Sequence, residues 1–181
     1  MSSAQELQEK GVKLFQRKDY EEAARLFHEA REAYSAAGQD DMAAEMQVNI
    51  GLVHRALGEH QPALEAMQEA LRVFQAMNDR KRMAMVLGNL GGVYAAMGDR
   101  EQAHGAYRTA ADLFDELGEK KLHGETLVAM GALQVKEGKL GAGAASYQAG
   151  LDELDELSAS QKVIKGLSGF VNRLTGGTKP D

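Results

Sequence analysis

Residues 87–94 read Leu87-Gly88-Asn89-Leu90-Gly91-Gly92-Val93-Tyr94. After a Gly98-Asp99 break they are followed by Ala103-His104-Gly105-Ala106-Tyr107-Arg108-Thr109-Ala110, and these two stretches decide the fold. Leu87, Leu90, Gly91 and Tyr94 fall at helical spacing on one face. Working outward in steps of 40, Gly91 aligns with Gly11, Gly51 and Gly131. Ala103 aligns with Ala23, Ala63 and Gly143; Tyr107 with Phe27, Met67 and Tyr147; Ala110 with Ala30, Ala70 and Gly150. Self-similarity at such a period marks a repeat architecture and outranks any local reading.

Glycine costs about 1 kcal/mol against alanine inside a helix, so 20 glycines in a helix-like chain need a cause. The columns supply it. Gly91 on a first helix and Ala103 on a second lie where two helices of a hairpin cross, and small residues there let the backbones approach. The Phe27, Met67, Tyr107, Tyr147 column fills the space beside that crossing. Breaks fall near Lys18, Gly58, Gly98 and Gly138, where a left-handed residue can end a helix. Asp19 and Asp99 then become N-cap candidates, and Pro62 sits in a first turn where its missing N–H costs little. The spacing predicts helices near 3–17, 20–37, 41–57, 60–77, 81–97, 100–117, 121–137 and 140–157.

These columns resemble the tetratricopeptide repeat, over residues 4 to about 160. Residues Leu87, Leu90-Gly91, Tyr94, Ala103, Tyr107 and Ala110 carry the match most clearly. The period of 40 is similar to the longer-helix variety found in kinesin light chains and cell-polarity adaptors. The resemblance implies an all-α, right-handed α-solenoid of four hairpins over about 4–40, 41–80, 81–120 and 121–160. His54 and Gln134 depart from the Tyr94 column, and Gly141, Gly143 and Gly150 are expected to weaken the last hairpin.

Beyond residue 160 the register continues for half a unit. Leu167, Phe170 and Leu174 align with Leu127, Met130 and Gln134, while Val171 occupies the glycine column. Residues 161–175 are therefore expected to form a C-terminal capping helix, with 176–181 a flexible tail. Lys162, Lys165 and Arg173 flank an apolar face, so two further readings stay open. The helix could touch a membrane, or fold into the array's own groove as a lid.

Composition limits the chemistry. No cysteine is present, which removes disulfides and thiolate sites, and a net charge of −6 disfavours nucleic acid as a partner. No apolar run approaches a membrane span, so a cytoplasmic protein without membrane partners is expected. The five histidines show no metal-ligand spacing, and no phosphate-binding loop follows a strand; neither a cofactor nor enzymatic activity is expected. Glu32, Arg72, Asp112 and Asp152 share one column, which predicts that Arg72 bridges neighbouring carboxylates. Asp115 with Asp155, and Glu116 with Glu156, predict an acidic strip on the outer face.

In the family resembled, ligands lie in a concave groove lined by the first helix of each hairpin. Turning from the buried face by about 100° per residue, the third hairpin offers Met85, Gly88, Asn89, Gly92 and Ala96. By register, the second offers Glu45, Val48, Asn49, Leu52 and Arg55, the fourth Val128 and Ala132, and the first Val12 and Phe15. Apolar residues without a packing partner point to a protein ligand, a peptide segment or helix. Asn49 and Asn89 share a column, and an amide can donate to and accept from a peptide backbone. The carboxylate clamp of chaperone-tail binders needs lysine and asparagine where Gln8 and Val12 stand, so such tails are not expected. Self-association through the C-terminal helix is the alternative.

Overall fold

The structure is a computed structural model describing residues 3–154 and 159–175. Nine α-helices and no strand occur among them. In chain order they are α1 (Ala4–Gln16), α2 (Tyr20–Ala36), α3 (Asp40–Ala56), α4 (His60–Ala76), α5 (Arg80–Met97), α6 (Arg100–Glu116), α7 (Lys120–Lys136), α8 (Leu140–Asp152) and α9 (Ala159–Thr175). The tail at 176–181 and the residues Asp155 and Glu156 of the expected acidic strip lie outside the described residues. So do the side chains of Phe170, Arg173 and Leu174.

The helix ends follow from the turns. Positive φ angles recur every 20 residues, at Lys18, Gly38, Gly58, Asn78, Gly98, Gly118 and Gly138. Lys18 is the costly member, since a side chain at φ 67° loses roughly 1 kcal/mol to its own backbone. Ser3 and Glu6 form a capping box, and the Asp99 carboxylate accepts from the Gln102 amide. Asp19 begins α2 without any side-chain cap bond, contrary to expectation. The other departure is α8, which ends at Asp152, about one turn before the expected 157.

Two compact units divide the chain, Met1–Gly98 and Asp99–Asp181. In the first, α1 packs on α2, α2 on α3, α3 on α4 and α4 on α5. Ala23, Phe27, Ala30, Tyr34, Met46, Ile50 and Val53 form one core, and Ala63, Met67, Ala70, Phe74, Val86, Leu90 and Val93 a second. Each fully buried large side chain contributes roughly 2 kcal/mol by leaving water. The glycine column lies at the hairpin crossings. A Cβ placed on Gly11 would stand 2.7 Å from Phe27 Cε1, and one on Gly51 2.8 Å from Met67 Cγ.

In the second unit α6 packs on α7, α7 on α8 and α8 on α9. The α7–α8 crossing is backbone on backbone. A Cβ on Gly143 would meet Val135 Cγ2 at 2.5 Å and the Gly131 carbonyl oxygen at 3.0 Å. One on Gly150 would meet the Gly124 carbonyl oxygen at 2.5 Å. Gly143 and Gly150 thus have a packing role that propensity alone hides. Their helix cost is set against a close approach that alanine would obstruct.

The docking of α9 differs from the register read in the sequence. Lys165 Nζ reaches Asp152 Oδ1 at 2.6 Å, the buried Ser168 hydroxyl lies 3.5 Å from Gln148 Oε1, and the face of Ser168 and Gly169 meets α8. Val163 and Leu167, expected on the packed face, are 62% and 60% exposed. The early end of α8 explains the difference, because the surface offered to α9 is its polar last turn with Gln148 and Asp152.

These crossings separate two classes of glycine. Gly143→Ala is expected to lower stability by about 1–3 kcal/mol. Gly105→Ala, where an added Cβ meets nothing within 4 Å, is expected to raise it by about 0.5–1 kcal/mol. Denaturant unfolding of both variants checks this, and equal midpoints would refute the crossing.

Candidate partner-binding surface

The odd-numbered helices carry the residues singled out for binding, and their solvent faces are apolar in part. Val12 on α1, Met85 on α5 and Val135 on α7 are 38%, 45% and 39% exposed, although each belongs to a well-formed helix. Ala96 and Ala132 are exposed; Glu45, Asn49, Arg55, Gly88, Asn89, Gly92 and Val128 are half-buried. Val48 and Leu52 are half-buried and also pack on the second core cluster. Phe15 departs from expectation. Its ring lies 5.5 Å from that of Tyr20 and packs on the first core cluster, because α1 ends beside it and the turn brings Tyr20 back.

In the first unit this surface has a definite hollow of about 910 Å³, lined along α1 by Gln5, Gln8, Glu9, Val12 and Gln16 and walled by Tyr34 and Met42. The Tyr34 hydroxyl donates to Gln8 Oε1 at 2.7 Å. Its phenol is held above its ordinary pKa, first by burial and then by the carboxylates of Glu45 and Glu9. Asn49 and Asn89 form no side-chain hydrogen bond among the described residues, so both amides keep their full donor and acceptor capacity.

Two polar groups that sequence reasoning missed hold this face in shape. Arg82, at the start of α5, meets Asp41 Oδ2 at 3.1 Å and Glu45 Oε1 at 3.0 Å on α3. Its guanidinium lies over the Phe74 ring, 5.5 Å from the centroid, so one side chain ties α3, α4 and α5 together. Gln47, buried on α3, accepts from Arg31 on α2 at 2.9 Å and donates to Glu69 on α4 at 2.7 Å. Both stand in apolar columns, Arg82 with Met42 and Leu122, Gln47 with Leu7, Leu87 and Leu127. That exception to the period was the signal available. Arg72 does not bridge Glu32 as expected. A cleft lies between α2 and α4 there, and Gln47 makes the link instead.

Three of the histidines serve the scaffold. His54 Nδ1 lies 2.6 Å from Glu59 Oε2 across a turn, and His123 Nδ1 2.7 Å from Glu153 Oε2 between α7 and α8. His104 Nε2 reaches Glu137, whose side chain is only 3% exposed and also meets Lys139 Nζ at 2.8 Å. No group of three metal-ligating side chains occurs among the described residues, and none of their helices is long and apolar enough to cross a membrane.

Consecutive packed helix pairs without a strand among the described residues are consistent with a helical repeat. Residues 4–76 match the family model described as tetratricopeptide repeat, a fold that generally mediates protein–protein interaction and is typically non-catalytic. A solved structure, the crystal structure of BtubC (BKLC) from P. vanneervenii, shares the fold. Its TM-score is 0.72 at 14% identity, covering 94% of this chain and 80% of that one. No curated protein is matched significantly.

The Glu137 cluster gives the second unit a pH dependence. The Lys139 hydrogen bond, and then His104, hold the Glu137 carboxyl below its ordinary pKa against the opposing effect of burial. A depressed folded-state pKa adds stability that is complete above the unfolded value and is lost as pH falls through the folded one. Between about pH 5 and about pH 3, wild type should therefore lose melting temperature faster than Glu137→Gln. Parallel losses, followed by circular dichroism, would show that the cluster contributes nothing.

Proposed function

We propose that this chain is a protein-binding adaptor or scaffold. The odd-numbered helices of a right-handed four-hairpin solenoid present a concave groove to a peptide segment or helix of a partner, with residues 161–175 as the cap. The carrying observation is the pair of half-buried, unpartnered amides, Asn49 and Asn89, on faces that also expose Met85. Those amides can pair with the backbone of an extended chain, while Val12, Leu52, Met85, Val128 and Ala132 supply apolar contact. Arg55 and Glu45 set the charge along it. Gly88 and Gly92 keep part of the α5 face low, each at about 1 kcal/mol of helix propensity, and leave room for a close-lying ligand. A cytoplasmic location suits the cysteine-free composition.

The test uses a random-peptide display library selected against the full chain. Peptides recovered on wild type should lose affinity about tenfold or more, near 1.4 kcal/mol, on Asn49→Ala combined with Met85→Glu. They should bind Arg72→Glu, altered on an even-numbered helix, as they bind wild type. Equal retention by both variants would place the ligand elsewhere.

A second reading, self-assembly through the C-terminal helix, is favoured by one observation. Val163 and Leu167 on α9 stand 62% and 60% exposed.

A further inference from the structure

The face of α9 turned away from α8 is apolar and basic. Val163 and Leu167 stand exposed, and a Cβ added to Gly166 between them would meet nothing within 4 Å. Lys162 is exposed beside them, whereas Lys165 is engaged by Asp152. The sequence of α9 holds three cations and no carboxylate, so the rest of the chain carries all of the acidic excess behind the net −6. Paired with itself, α9 would bring no carboxylate of its own to Lys162.

A complementary surface exists in the first unit, separate from the odd-helix face described above. Between α2 and α4, over α3, lies a cleft of about 680 Å³ with Ala43, Ala44 and Ala70 among its lining residues. These alanines are buried, so the cleft has a floor without bulk. Its rim carries Glu32, Asp40 and Glu69, all exposed. Arg31 also lines it, but its guanidinium is turned to the Gln47 amide. Glu32 and Asp40 meet no cation among the described residues.

We infer that the Val163–Leu167 face of α9 in one molecule seats in the α2–α3–α4 cleft of a second copy of this chain. Val163 and Leu167 fill the space above the alanines, and Lys162 faces the carboxylates of Glu32 and Asp40. The choice of a second copy rests on charge: an acid-rimmed apolar cleft and an acid-free basic apolar helix are supplied by the same chain. Because the two surfaces differ, each molecule offers one helix and one cleft, and the contact yields a reciprocal dimer, a closed ring or an open chain of copies. The inference does not depend on the odd-helix face binding a peptide.

Sedimentation velocity of the full chain over a concentration series, at low and at high salt, tests it. The weight-average mass should rise to the dimer or beyond at low salt and fall back toward monomer at high salt. Leu167→Asp, at an exposed position, should keep the wild-type circular dichroism and remain monomeric. Lys162→Glu should move the association midpoint to about tenfold higher concentration. Glu32→Lys added to Lys162→Glu should recover most of that shift, a rescue that general loss of structure cannot give. Asn49→Ala with Met85→Glu should assemble as wild type does. A monomer at every concentration would overturn the inference. So would a dimer that stops at two and ignores Glu32→Lys, which would indicate α9 pairing with itself. Pelleting with phosphatidylserine vesicles, abolished by Leu167→Asp while the free protein stays monomeric, would overturn it in favour of a lipid surface.

Discussion

Everything in this structure depends on how closely two helices of a hairpin can cross. Gly11 lies against Phe27 and Gly51 against Met67, at separations where a single added carbon would overlap the partner ring or thioether. Gly131 and Gly143, and Gly124 and Gly150, bring α7 and α8 together through their backbones. Once the crossing is fixed, the large column residue beside it is buried without strain, and Phe27 and Met67 are almost wholly out of water. The even-numbered face of each odd helix is used up by that packing. What remains is a solvent face with no structural duty, and there Val12, Met85, Asn49 and Asn89 stand. A partly apolar, amide-bearing solvent face is thus a by-product of the crossing.

Polar groups tune this arrangement more than they create it. Arg82 answers Asp41 and Glu45 across neighbouring odd helices, and Gln47 answers Arg31 and Glu69 across even ones. Each takes a position where other hairpins keep an aliphatic residue. Buried amides and cations are costly unless satisfied, and here each finds charged partners at hydrogen-bonding distance. The consequence is local register. Asp41 and Glu45 are held to α5, which sets the α3 face that also carries Asn49.

The helices and the crossing were legible in the sequence because both are written in a period. Glycine and alanine at an interval of 40, with an aromatic or methionine four residues beyond the alanine, admit one packing solution. Three features were not legible for physical reasons. Phe15 looks like a groove residue by angle, but α1 ends within two residues of it and the turn returns Tyr20 to its ring. Gly143 and Gly150 read as weakness, because propensity counts the helix they sit in and not the backbone they touch. The rotation of α9 could not be read, because its cause is the end of α8 at Asp152. Asp152-Glu153-Leu154-Asp155-Glu156-Leu157 has a good helical pattern and gives no sign of stopping there. The candidate surface was visible only as a face; the free state of the Asn49 and Asn89 amides required the structure.

The central claim is that a peptide ligand lies on the solvent faces of the odd-numbered helices, apart from the α2–α4 cleft. Amide chemical-shift mapping tests it most directly, with isotopically labelled full chain titrated by a peptide selected on the wild-type protein. The account predicts that the largest shifts cluster at Val12, Asn49, Leu52, Met85 and Asn89, with the exposed positions of α2 and α4 unmoved. Shifts concentrated on Glu32, Glu69 or Arg72, with Asn49 and Asn89 silent, would contradict it.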